Sequence, residues 1–107
     1  MKQIAEIIEQ LYERCETKFP LNNSSIPLLI LAKTIRHESN GTELPLKVLC
    51  AELKSSDLCT RTHVKKLEQR NWVKINKSKT DGRMKIVKST PKLINAFQGL
   101  SDEFKSR

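Results

Sequence analysis

Seven side chains between Arg61 and Arg83 have the types and spacing to bind a polyanion and read base edges. Arg61, Thr62, Lys65 and Lys66 form one cluster; Lys77, Lys79 and Arg83 form the next. Lysine offers a compact charge suited to phosphate, whereas arginine presents a planar fork that binds phosphate or guanine bidentately. Lys65 and Lys66 are read as phosphate contacts, and Arg61 and Thr62 as candidates for base edges. The surrounding charge supports this chemistry. From Lys54 to Lys92 there are twelve Lys or Arg against three acidic residues, a balance of +9, while the rest of the chain holds −1. Such segregation is the footprint of a surface that releases counterions on docking to nucleic acid. Catalysis finds no comparable support. There is no Ser/His/Asp or Cys/His arrangement, no Gly-rich phosphate loop and no metal-ligand cluster. The expectation is a non-enzyme with no cofactor and no metal.

The two clusters need elements to hold them. Trp72–Asn76 and Met84–Lys88 alternate apolar and basic residues, as strands with one buried and one solvated face do. Between them runs a polar segment ending in Thr80-Asp81-Gly82-Arg83, and Asp-Gly tolerates the backbone of a hairpin turn. Upstream, Pro45 opens a short helix with Leu46, Leu49, Cys50 and Leu53 on one face. Lys54-Ser55-Ser56-Asp57 makes a tight connection to a second helix, about 58–70. That helix turns Thr60, His63, Val64 and Leu67 inward and Arg61, Thr62, Lys65 and Lys66 outward. Two short helices, a tight turn and a basic second helix are the pattern of a helix-turn-helix.

The flanks are also helical. Residues 2–18 place Ile4, Ile7, Ile8, Leu11, Tyr12 and Cys15 at spacings of three and four, giving an amphipathic helix. It ends before Phe19-Pro20 and the turn-rich Leu21-Asn22-Asn23-Ser24-Ser25. Ser24 or Ser25 caps the next helix, with Pro27 in its first turn. Residues 27–37 are apolar on almost every side and should form the buried centre, ended by Ser39-Asn40-Gly41-Thr42. Thr90 caps a last helix beginning at Pro91, with Leu93, Ile94, Phe97, Leu100 and Phe104 at helical spacing and Gly99 as a point of weakness. Trp72 reads as a core anchor for the hairpin, His63 as a half-buried packing residue, and His37 as a charge near a helix end.

The totals agree. A chain of 107 residues with 37% hydrophobic and 30% charged composition suits one small α+β domain, mainly α with a small β-hairpin. No apolar run approaches the roughly 18–20 residues of a membrane span. Cys15, Cys50 and Cys59 are widely spaced and odd in number, so they read as reduced thiols. A cytoplasmic, bacterial nucleoid-associated protein is expected.

Taken together, the order resembles a winged helix-turn-helix of the MarR/SlyA type. Asp81-Gly82-Arg83 followed by Met84–Thr90 is similar to that family's Asp-x-Arg wing motif. Val64–Val73 resembles the end of its recognition helix, with Asn71 where the family usually has Gly; Ser89 stands where it usually has Leu. The resemblance implies a sequence-specific regulator of double-stranded DNA, a homodimer and a repressor. Helix 58–70 would enter the major groove and the wing, 76–83, the minor groove. Arg83 would be the minor-groove residue, and Asp81 would support the wing by pairing with Arg61 or Arg70. The chain would be one domain, with 26–90 as the winged core and dimerisation through 2–18 and 91–105. Family members carry longer terminal helices that frame an effector pocket, so a small-molecule effector is left open. Two alternatives stand beside this: a replication, partition or nucleoid-associated DNA protein, and a winged helix that binds protein.

Overall fold

The computed structural model describes residues 1–19 and 24–105, with side chains to Glu103. Pro20, the first three residues of the expected turn, 21–23, and the place of the Phe104 side chain lie outside the described residues. Helix α1 spans Lys2–Lys18, as its apolar spacing predicts, and only Cys15 of its side chains is buried. Helix α2 spans Ile26–Ser39. Of the two serines expected to cap it, Ser24 makes the bond: its hydroxyl accepts the Ile26 N–H at 3.2 Å. Asn40 ends the helix and Gly41 takes a positive φ of 73°, a conformation open to glycine.

Helix α2 is the centre of the core, but not on every side. Ile30, Leu31 and Thr34 are buried, whereas Leu29 is exposed. The helix packs chiefly against helix α4 (Asp57–Gln69) and strand β2 (Lys85–Ser89). With Leu49 of helix α3 (Leu46–Glu52), Val64, Leu67, Val73, Val87 and Leu93, these side chains form one cluster. Burying each contributes roughly 1.5–3 kcal/mol relative to exposure. At the start of α4 the Ser56 hydroxyl accepts the Cys59 N–H at 3.1 Å, the side-chain cap this sequence favours.

Helix α4 ends on Asn71, whose φ of 64° is left-handed. The Trp72 N–H turns back to the Leu67 carbonyl at 2.9 Å, and the chain then leaves as strand β1, Val73–Lys77. Both strands lie one residue further along than their alternation suggests. They pair antiparallel, with Ile75 opposite Val87 and Lys77 opposite Lys85. The alternation in β2 is not clean, since neighbours Ile86 and Val87 are both buried. The loop before α3 explains this by running along the free edge of β2. Leu44 accepts the Val87 N–H at 2.9 Å and Pro45 bridges Ile86.

The last helix, α5, spans Pro91–Lys105 and passes through Gly99 without ending there. A Cβ at Gly99 would lie 3.1 Å from Lys18 Nζ, so the glycine leaves room for α1. Thr90 works in two directions. Its hydroxyl oxygen accepts the Leu93 N–H at 3.3 Å, and its proton points to the carbonyls of Asn71 and Trp72 at 2.7 and 3.1 Å. Trp72 is core, as expected, and joins more than the hairpin. Its ring lies 5.2 Å from Phe19 at the end of α1, Phe19 lies 5.6 Å from Phe97 of α5, and Lys92 Nζ sits 4.3 Å over the indole.

Candidate nucleic-acid interface

Because Thr60, Val64 and Leu67 are committed to the core, α4 has one free face. Leu58, Arg61, Thr62 and Lys65 stand on it at the i, i+3, i+4, i+7 spacing of a helical stripe, all exposed. Lys66 is also exposed but lies off that stripe, toward His63. His63 is half-buried; burial, then the Lys66 ammonium, lower its pKa from the ordinary 6.5 and favour the neutral ring.

The hairpin brings a second set of cations. Arg83, Lys85, Arg61 and Lys47 line one groove of about 530 Å³ between α3, α4 and β2, floored by Pro45, Leu46, Val48 and Met84. Arg61 and Arg83 therefore face the same groove. Lys65 joins Arg61 and Lys85 along an adjacent hollow. Lys77 is opposite Lys85, and Lys74 opposite Lys88. Like charges directly opposite destabilise a hairpin, and a polyanion would relieve that repulsion. Lys79 does not join the groove; it lines a different hollow with Glu38, Glu43 and Lys88.

Asp81 does not pair with Arg61 or Arg70. Its carboxylate accepts the Arg83 N–H at 3.0 Å while its carbonyl accepts the Met84 N–H, also at 3.0 Å. A short Asp side chain two residues before a turn N–H closes that local ring readily. The longer-range support comes from carboxylates that no local pattern marks. Glu43 accepts the buried Ser78 hydroxyl at 2.8 Å, and Ser78 Oγ in turn accepts the Thr80 N–H at 3.2 Å. Glu38 accepts both the N–H and the hydroxyl of Ser89, at 2.6 and 2.9 Å. The loop between α2 and α3 and the helix end before it thus hold the hairpin at both ends. Glu52 ties α2 to α3, reaching Lys33 at 3.2 Å, Arg36 at 3.1 Å and the His37 ring at 3.3 Å. His37 thus has a carboxylate partner besides its place in the last turn of α2.

Lys47 and Lys85 carry no motif that marks them as site residues. Lys85 sits inside the basic segment and its register exposes it; Lys47 lies outside that segment and only the fold brings it in. Cys15 and Cys50 are buried, and burial raises both thiols from their ordinary value. Among the described residues no group of three or more His, Cys, Asp or Glu is placed to hold a metal ion. No helix there is long and apolar enough to cross a membrane.

No protein-family model matches the chain, and no curated protein matches it in sequence. Solved structures do match. The transcriptional regulator BldR from Sulfolobus solfataricus is 23% identical over 99% of this chain and 79% of its own, with a TM-score of 0.60. A point mutant of MepR from S. aureus, bound to an oligodeoxyribonucleotide, is 19% identical over 98% and 75%, with a TM-score of 0.70. AF1382 from Archaeoglobus fulgidus is 21% identical over 88% and 97%, with a TM-score of 0.63. BldR and MepR are MarR-family regulators. Five helices, the antiparallel hairpin and these likenesses agree: the chain has the winged helix-turn-helix fold of the MarR-type regulators.

Proposed function

We propose that the chain is a transcriptional regulator that binds double-stranded DNA as a homodimer and acts as a repressor. It is not an enzyme in this reading, and it works in the cytoplasm on the nucleoid. Helix α4 enters the major groove with Arg61 and Thr62 at base edges and Lys65 and Lys66 at phosphates. The wing, 76–83, follows the adjacent minor groove with Arg83 inserted and Lys77 and Lys79 on the backbone; Asp81 shapes the turn that aims Arg83.

The observation that carries this reading is the groove lined by Arg61 of α4 and Arg83 of the wing together with Lys47 and Lys85. Four cations around one open groove repel each other until an anionic backbone lies between them. The dimer rests on α1, whose Ile4, Ile7, Ile8, Leu11 and Tyr12 are uncovered, and on α5, where Ile94 is exposed. A second copy in a two-fold arrangement would cover that stripe and space two α4 helices for a pseudo-palindrome.

The test is selection of bound sequences from random duplex DNA, followed by footprinting and a solution mass. A bounded, two-fold symmetric site and a dimer mass are expected, with affinity falling steeply as salt rises. Uniform coverage would favour a nucleoid-associated or partition role. No mobility shift at low salt would favour a protein-binding winged helix.

A further inference from the structure

Leu58 is 78% exposed in the first turn of α4, on the same stripe as Arg61, Thr62 and Lys65. It is the one apolar side chain in that stripe. Its neighbour one turn on, Thr62, has its hydroxyl proton committed: Thr62 Oγ1 donates to the Leu58 carbonyl at 2.7 Å. Thr62 therefore has no hydroxyl proton left for a base. It adds its methyl group to the surface beside Leu58, four residues apart on one helical face. Asp57, at the first position of α4, puts a carboxylate at the positive end of the helix, where it competes with a phosphate for that place. The stripe thus begins on apolar surface, and the cations Arg61 and Lys65 follow along it.

We propose that Leu58, with the Thr62 methyl beside it, reads the C5-methyl group of a thymine in the major groove. The inference rests on the DNA-binding reading above and names a base that α4 selects. Among the base edges of the major groove the thymine methyl is the apolar one, and the first turn of a recognition helix is the part that reaches those edges. Contact there takes Leu58 out of water without asking a base to surrender a hydrogen bond.

The experiment uses the full chain and the duplex found by sequence selection. Each thymine in a half-site is replaced in turn by deoxyuridine, which deletes the methyl and leaves pairing intact. At one thymine per half-site the replacement should weaken binding by about four-fold, the worth of one buried methyl. Leu58→Ala should bind the thymine and deoxyuridine duplexes equally at that position. Its salt dependence should match the unsubstituted protein, because no charge changes, and its melting temperature should hold, because the side chain is exposed. Deoxyuridine tolerated everywhere in an otherwise bounded site would overturn the thymine contact and leave the regulator reading standing. A Leu58→Ala variant that keeps the discrimination would overturn it too. Failure to select any bounded site would remove both readings together.

Discussion

Along α1, Ile4, Ile7, Ile8, Leu11 and Tyr12 are 41–63% exposed, whereas Ile30, Leu31, Val64, Leu67 and Val87 in the winged lobe are at most 3% exposed. Both sets obey the same periodicity rules, so the difference lies in what each face meets. The α2–α4–hairpin lobe closes upon itself. Its apolar stripes face one another, and its carboxylates hold the hairpin through Ser78 and Ser89. Among the described residues, helix α1 is anchored at its end by Cys15, by Phe19 against Trp72, and by Arg14 and Lys18 near Glu103 at 3.6 Å. One region is complete in a single chain; the other has an apolar face suited to a second copy.

The strongest way to break this contrast is a charge on the open face. Ile8→Glu should convert a dimer to a monomer by solution mass. It should also lower affinity for a two-half-site duplex by about 10²- to 10⁴-fold, because the second half-site loses its tether. An unchanged mass would remove α1 from the interface. The next test compares truncations in the two regions under denaturant. Leu31→Ala should cost about 2–5 kcal/mol of unfolding free energy, through lost burial and a cavity. Ile4→Ala, read at a concentration where the protein is monomeric, should stay within about 0.5 kcal/mol, as surface changes do. Equal costs would mean that α1 is packed in the monomer.

Within the closed lobe, Arg83→Ala should weaken specific DNA binding by about 1–3 kcal/mol in a titration. Arg36→Ala should do little to binding, since Arg36 and its partner Glu52 do not line the groove. Similar losses for both would dissolve the wing assignment. Glu38→Ala should cost about 1–2 kcal/mol of stability, since Ser89 loses a charged acceptor for two donors. It should also raise amide exchange across β2 ahead of α4.

The smallest effect is pH-linked. Burial pushes the Glu52 carboxyl up, but hydrogen bonds and charge from Lys33 and His37 outweigh it and leave the pKa below its ordinary 4.5. A carboxyl with a lowered folded pKa stabilises the fold above its unfolded value, and that contribution disappears as pH falls through the folded one. Stability should therefore decline as pH drops below about 4.5, the ordinary value. Glu52→Gln should flatten that part of the melting profile by lowering its plateau near neutrality, where the carboxylate contribution is fully present, and should change the acid end least.

Much of the chain is legible in sequence because it depends on near neighbours. The extent of α1, the Thr90 cap, the left-handed Asn71 and the Asp81-Gly82 turn all follow from local spacing and backbone preference. So do the exposed cations Arg61, Lys65 and Arg83, since a helix or hairpin with one buried face must present the other. The partner of Asp81 departs from expectation because a bond two residues away competes well with one across the fold. The one-residue shift of both strands, the Leu44–Val87 edge, the Glu38 and Glu43 supports and the entry of Lys47 into the groove have no local signature. Sequence by itself determined which faces are apolar, where helices start and stop, and where positive charge accumulates. Only the tertiary structure decided which carboxylate meets which hydroxyl and which cations share a groove. Those pairings join residues 35 and 51 positions apart, set by how whole helices pack and not by any repeat along the chain.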